Sequence, residues 1–254
     1  MTPQGEFARI AAEDGRAALV SVVAGGRSGA KLLIQPDGGT SGGLGDAELD
    51  REATAAAEEL MWAERSELRE VEGVSLFVDV TAPAPRLVVF GAVDYAAALC
   101  RLARAAGWRA FVCDPRSQFA TRERFPDAEE VIAAWPDEAF ARIGAIDRAT
   151  YIAVLTHDPK LDDAALGLAL RSDAPYVGAM GSRRAQAQRR ERLQAAGLEE
   201  QLIDSVAAPI GLDLGALTPE ETALSIMAEV VAVRHGRDGG RLSNAAGRIH
   251  EVGA

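Results

Sequence analysis

Four short polar clusters in this 254-residue chain combine residue types suited to holding an anion or a nucleotide. They are Gly91-Ala92-Val93-Asp94, Asp114-Pro115-Arg116, Thr156-His157-Asp158 with Lys160 just beyond, and Gly178-Ala179-Met180-Gly181-Ser182-Arg183-Arg184. In the last, two glycines permit close backbone approach, and Ser182 can cap a helix beginning there. Free N–H groups at such a helix start, with Arg183 and Arg184 beside them, suit a phosphate or pyrophosphate. A tight turn into a solvated basic helix, RRAQAQRRERL, accounts for the same residues equally well. Asp114 is placed either to accept hydrogen bonds from a ribose or to brace the turn after it. His157 beside Asp158 has the composition of an acid–base pair, but adjacent residues point to different faces. No Ser or Cys nucleophile motif accompanies the pair, so a structural loop role stays open.

The elements that must position these clusters are clearest in residues 86–116, RLVVFGAVDYAAALCRLARAAGWRAFVCDPR. An apolar run ends at Gly91, a helical segment follows, and a second apolar run ends in Asp114. That is the layout of a first βαβ unit, with an acid after the second strand. The usual G-x-G-x-x-G would place glycines at 91, 93 and 96; here Val93 and Ala96 replace two of them. Asp94 also puts a carboxylate where a pyrophosphate normally lies, which counts against ordinary NAD(P) binding.

From residue 86 to about 216 the pattern alternates, with strand candidates LVVFGA, RAFVCD, TYIAVLT, PYVGAM and AAPIGLD. Helical segments are expected at 94–106, 137–142, 161–172 and 183–196. A last helix opens at Thr218-Pro219-Glu220-Glu221 with a cap, a first-turn proline and two early acids. Short apolar runs separated by helices imply a mostly parallel sheet covered on both faces, with ligands outside the carboxyl ends of its strands.

Residues 5–80 read differently: a helical start, β-rich ALVSVVAG and AKLLIQPDG, a long helix from near Asp46, then GVSLFVDVTA. The Gly-rich GGTSGGLGDAELD at 38–50 leads into that helix, so its amides either cradle an anion or form a hairpin connection. No Lys-Ser/Thr follows, so it is not a P-loop. Prolines in APAPR at 82–86 mark a domain boundary. The expectation is an α/β chain with a smaller N-terminal α+β domain at 1–82. A C-terminal Rossmann-like, doubly wound, mostly parallel sheet follows at 86–236, and then a flexible tail at 237–254.

Net charge is −11, which opposes general binding to nucleic acid or anionic membrane. No apolar run approaches the ~20 residues of a membrane span, and the N-terminus has neither a basic start nor an apolar stretch for export. Cys100 and Cys113 offer no disulfide framework or metal spacing, and suit small core residues in a reducing cytoplasm. With only His157, His235 and His250 available, no metal site is expected.

Taken together, VFGAVDYAAAL, GW, VCDPR and FATRERFPDAEEV (89–131), VLTHDPKLD (154–162), YVGAMGSRRAQAQRRERL (176–193) and IGLDLGALTPEETALSIMAEVVA (210–232) resemble the xanthine dehydrogenase accessory protein family, XdhC/CoxI. The segment AKLLI…GGTSGGLGDAELD is similar to that family's N-terminal region. The resemblance implies a cytoplasmic maturation chaperone with no turnover chemistry of its own. It would bind the molybdenum cofactor as cargo, as molybdopterin or its cytosine dinucleotide, and assist its sulfuration. Delivery would be to a molybdenum hydroxylase apoenzyme of the xanthine dehydrogenase or carbon monoxide dehydrogenase type. Implied partners are that apoenzyme, a cysteine desulfurase and a second copy of the chain.

On this reading Gly178, Gly181, Ser182 and Arg183 hold the phosphate end. Gly91, Asp94, Asp114, Arg116 and His157 line the crevice, and Gly42 and Gly43 contribute from the first domain. Two departures from the family pattern stand out. Many relatives have G-A-G-H-x-G where this chain has Gly91-Ala92-Val93-Asp94-Tyr95-Ala96, and many carry a Cys in a G-G-C-x-E segment where this chain has Gly42-Gly43-Leu44-Gly45-Asp46. The rival readings are an NAD(P)-binding oxidoreductase and an adaptor with a vestigial nucleotide crevice.

Overall fold

Helix α1 (Pro3–Ala12) and strand β1 (Ala17–Ala24) open a computed structural model that describes residues 1–245, in two units comprising residues 1–83 and 84–245. In the first unit, β2 (Lys31–Ile34), β3 (Thr40–Gly43), helix α2 (Ala47–Ala63), β4 (Glu67–Val71) and β5 (Val74–Thr81) complete an antiparallel sheet of order β3-β2-β1-β5-β4. The two-residue period of β1 explains its continuous apolar run. Ala18, Val20 and Val22 face α2, whereas Ala17 and Leu19 pack with Ile10 of α1 and Leu33. Helix α2 buries Leu49, Ala53, Ala57, Leu60 and Met61, one stripe at helical spacing. Asp46 caps it, accepting from the N–H groups of Glu48 and Leu49 at 3.0 Å.

The second unit begins with β6 (Arg86–Phe90), α3 (Asp94–Ala105), β7 (Arg109–Cys113), β8 (Glu130–Ile132) and α4 (Pro136–Ile143). It continues with β9 (Thr150–Val154), α5 (Pro159–Ala169), β10 (Tyr176–Ala179), α6 (Arg183–Ala195), α7 (Glu200–Asp204) and α8 (Pro219–Arg234). All five strands are parallel, in the order β10-β9-β6-β7-β8. Leu87 and Val89 of the central strand face α3 and α8, while Val88 and Phe90 face the layer that includes α4 and α5. All four are fully buried. At about 1.5–3 kcal/mol for each such side chain, β6 alone contributes on the scale of a whole domain's net stability. The fold is therefore a doubly wound Rossmann-type sheet, and its strand order reverses between β6 and β9. Helix α8 starts with the expected capping box, Thr218 and Glu221 each satisfying the other's backbone N–H.

Two expected elements differ. AAPIGLD forms no strand; Ala207 makes one parallel bridge to Gly178, and Pro209, lacking an N–H, cannot extend the ladder. The Gly-rich run at 40–43 is not a loop but the edge strand β3, paired antiparallel with β2. The expected flexible tail at 237–254 lies partly outside the described residues, as does His250. Its described part holds a short turn at Leu242–Asn244. No described helix is long and apolar enough to cross a membrane.

Candidate functional site

The turns after β6, β7, β9 and β10 meet at the carboxyl edge of the parallel sheet, where ligands of this architecture sit. Their positions are fixed by backbone pairing that runs past the strand ends. Gly91 donates to the Cys113 carbonyl at 2.9 Å, Leu155 to Phe90 at 2.8 Å, and Met180 to Val154 at 2.8 Å. Gly91 has φ +113°, and a Cβ there would lie 3.0 Å from the Thr156 nitrogen. A glycine is needed there because φ is positive and because β6 and β9 close on each other at this point.

Asp114 is fully buried and fully engaged. One oxygen accepts from the Ala92 N–H at 2.8 Å and from an Arg116 NH2 at 2.7 Å; the other accepts from the backbone N–H and the Nε of Arg116, both at 2.9 Å. Burial pushes this carboxyl up, but the hydrogen bonds from Arg116 and from the two backbone amides outweigh it and hold the group below the ordinary carboxylate value. Of the two readings open from sequence, the brace is the one realised: Asp114 ties the β6 turn to the β7 turn, and no acceptor is left facing a ribose.

Asp94, first residue of α3, is exposed and pairs with Arg124 at 3.1 Å. Arg124 comes from the loop after β7 and also donates to the carbonyls of Ala92, 2.9 Å, and Phe119, 3.1 Å. Sequence reading missed Arg124, because nothing in TRERF separates it from Arg122, whose guanidinium goes instead to the Ala128 and Glu129 carbonyls.

After β9, buried Thr156 accepts from the Asp158 N–H at 2.8 Å, and Asp158 caps α5 by accepting from the Lys160 N–H at 2.9 Å. His157 is exposed at this turn. Asp158 also lies close enough to Arg116 to favour its charged form.

At the β10 end, Gly178 sits inside the strand and is buried. A Cβ there would come within 2.5 Å of the Ile210 side chain and 2.6 Å of the Tyr176 hydroxyl, so its smallness serves packing and corrects its expected place in an anion loop. Gly181 fits that expectation better: it is half-buried, has φ +133° and stands directly before α6. Ser182 caps α6 by accepting from the Ala185 N–H at 3.3 Å, and Arg183 and Arg184 are exposed. By helix geometry the N–H groups of Arg183 and Arg184 have no intrahelical acceptor.

A buried ion pair holds this turn from below. Arg189 of α6, 4% exposed, donates to Asp162 of α5 at 2.8 Å and to the Met180 carbonyl at 2.9 Å. Gln186 donates to the Gly181 carbonyl at 3.2 Å. Burial pushes the Asp162 carboxyl above its ordinary value despite Arg189. The carbonyls of the turn are thus drawn inward. The basic helix is not uniformly solvated as its composition suggested; the burial of Leu193 one turn after Arg189 was the available signal.

Across these four turns, with Arg124, the cations Arg116, Arg124, Lys160, Arg183 and Arg184 outnumber the carboxylates Asp94, Asp114 and Asp158. The chain as a whole has the opposite balance. This edge therefore carries a local charge balance opposite to that of the chain. Neither cysteine can add nucleophilic chemistry, since both are buried; burial pushes Cys100 up to about 12 and Cys113 up further.

In the first unit, Gly42 has φ +94°, and a Cβ there would come within 2.3 Å of the Lys31 carbonyl oxygen. Gly43 faces the Asp50 carboxylate, which accepts from the Leu44 N–H at 2.7 Å. The expected anion cradle is therefore an edge strand whose next amide already has a carboxylate partner.

Comparison with known proteins bears on this arrangement. The XdhC Rossmann domain matches residues 87–230, and the XdhC and CoxI family region matches residues 10–72. A protein of Bacillus subtilis described as a probable xanthine dehydrogenase subunit is 29% identical over 160 residues, covering 63% of this chain and 46% of that protein. The molybdenum cofactor insertion chaperone PaoD of Escherichia coli is 28% identical over 152 residues, covering 60% of this chain and 41% of its own length. The chain thus spans less than half the length of these curated relatives. A crystal structure described as a xanthine dehydrogenase from Bacillus halodurans shares the fold, with TM-score 0.54 and 19% identity over 96% of this chain and 98% of the other.

Proposed function

The chain belongs to the XdhC family, and from that premise we propose that it carries a phosphorylated molybdenum–pterin cofactor and delivers it to a molybdenum hydroxylase. The observation that carries this reading is the Gly181–Arg184 turn, an open helix start with two exposed arginines at the carboxyl edge of the sheet. The cofactor's phosphate would meet the amides of Arg183 and Arg184 and their guanidinium groups. Arg189 and Gln186 act as positioning residues by holding the turn's carbonyls away from that phosphate. The PaoD relative's name supports insertion as the role.

Sulfuration, where it occurs, needs a sulfur donor from a partner such as a cysteine desulfurase, because both thiols of this chain are buried and held protonated. The protein then serves as platform and shield, not as sulfur carrier. A second copy of the chain and a hydroxylase of the xanthine or carbon monoxide dehydrogenase type complete the proposed set of partners. The oxidoreductase alternative is less well supported, since Asp114 has no acceptor left for a ribose.

The test is to express the protein with cofactor biosynthesis intact, purify it without oxygen, and quantify molybdenum and oxidised pterin by mass spectrometry. Near-stoichiometric pterin is expected, falling at least tenfold when Arg183 and Arg184 are both changed to Glu. Both side chains are exposed, so this variant keeps its fold. Absence of pterin from the unaltered protein, under conditions that load a known carrier, removes the proposal.

A further inference from the structure

In an ordinary dinucleotide fold the N-terminus of the first helix receives the pyrophosphate, and a glycine at the second fingerprint position lets the backbone come near it. Here a carboxylate and its counter-ion stand at that place. Asp94 brings a carboxylate to the first turn of α3, where an anion is favoured by the helix dipole. Arg124 arrives from the loop after β7 and supplies the counter-ion at 3.1 Å. Its other contacts, to the carbonyls of Ala92 and Phe119, fix the guanidinium over the turn, so Asp94 faces a preset partner. Val93, at the second fingerprint position, is the N-cap of α3 and packs its side chain against the core. The Ala92 N–H, next in line to meet a phosphate, is spent on Asp114 at 2.8 Å. Charge and bulk therefore act in one direction, against the pull of the Asp94 and Tyr95 amides, which helix geometry leaves without an intrahelical acceptor.

We infer that Asp94 and Arg124 form a specificity pair that excludes pyrophosphate-bearing dinucleotides from the α3 end of the crevice. The inference rests on the proposed carriage of an anionic cofactor only for where the cargo goes instead, namely the α6 end. The exclusion itself depends only on this chain's own residues. Because Asp94 is 86% exposed, its repulsion is screened, and an effect of about tenfold on binding is the appropriate scale. The steric part belongs to Val93.

The experiment is a calorimetric titration of the metal- and pterin-free protein with ADP-ribose at low ionic strength. The unaltered chain, Asp94→Asn and Val93→Gly/Asp94→Asn are compared. Asp94→Asn is expected to bind ADP-ribose about tenfold tighter than the unaltered chain, with the gain shrinking as salt is raised. The double variant should bind tighter still and with less dependence on salt. Asp94 is at the surface, so its single variant remains informative even if Val93→Gly loosens the core. Equal affinity, or equal failure to bind, in the unaltered chain and Asp94→Asn overturns the inference. So does tight binding by the unaltered chain that Asp94→Asn abolishes. These readouts involve no pterin, so they stand or fall separately from the cofactor-loading experiment.

Discussion

The two ends of the carboxyl edge use similar residues to opposite effect. At the β6–β7 end the charged side chains are turned on one another and on the backbone: Asp114 on Ala92 and Arg116, and Arg124 on Asp94. At the β10–α6 end the pairing lies underneath, between Asp162 and Arg189, and the surface arginines 183 and 184 are left exposed. An acid or a glycine after a Rossmann strand thus says little by itself. What decides its role is whether its partners come from inside the protein. The first end is a structural joint, while the second is a support whose surface arginines face solvent.

The strongest challenge to that contrast is Arg189→Met. It leaves the Asp162 carboxylate buried without a counter-charge and the Met180 carbonyl without its donor, and about 3–5 kcal/mol of stability should be lost in urea unfolding at neutral pH. A loss below 1 kcal/mol would mean that the pair does not support the turn. Next comes Gly91→Ala at the joint. Positive φ and a Cβ 3.0 Å from the Thr156 nitrogen predict about 2–3 kcal/mol of destabilisation by the same measurement.

Acid titration separates the two ends more finely, because their buried carboxyls shift in opposite directions. Asp114 is lowered from 3.8, so the stability it contributes is complete above that ordinary value and is lost as pH falls through its lowered one. Asp162 is raised, so its burial penalty is present at neutral pH and is relieved as pH falls through its raised value. Unfolding followed from pH 7 to pH 2 should show Asp114→Asn flattening the loss at the acidic extreme. A variant whose acid limb is unchanged would show that the brace carries no net electrostatic stability. The smallest effect is expected at the open end, where Arg183→Ala should change stability by no more than about 0.5 kcal/mol. A thiol-labelling assay completes the series: neither cysteine should react in the native protein, and both should react once it is unfolded.

Much of this was legible beforehand because its causes are local. Thr218 and Glu221 announce a capping box, Asp46 and Ser182 sit at helix starts, and uninterrupted runs such as LVVF require a strand buried on both faces. The misread elements depend on distant neighbours. Gly42 and Gly43 look like a loop until β2 supplies a pairing partner, and AAPIGLD looks like a strand until Pro209 withholds its N–H. At the site, Asp114 carried two meanings that only the reach of Arg116 could separate. Arg124 and Arg189 were hidden among identical letters; each is singled out by where the chain folds back, to the Ala92 carbonyl in one case and to Asp162 in the other.

The segment around Ala207 has a further consequence, for assembly. Along the outer side of β10, the Val177 carbonyl accepts from Ala207, the Ala179 N–H donates to Ala207, and the Ala179 carbonyl accepts from Ile210. Those three bonds take up most of the backbone groups on that margin and leave little to template another strand. The opposite margin is β8, only three residues long. The parallel sheet is therefore largely covered against growth on one side and offers a very short edge on the other. Copies of this unit are expected to associate through helices and side chains, and a continuous intermolecular sheet would have to begin by dismantling its own border.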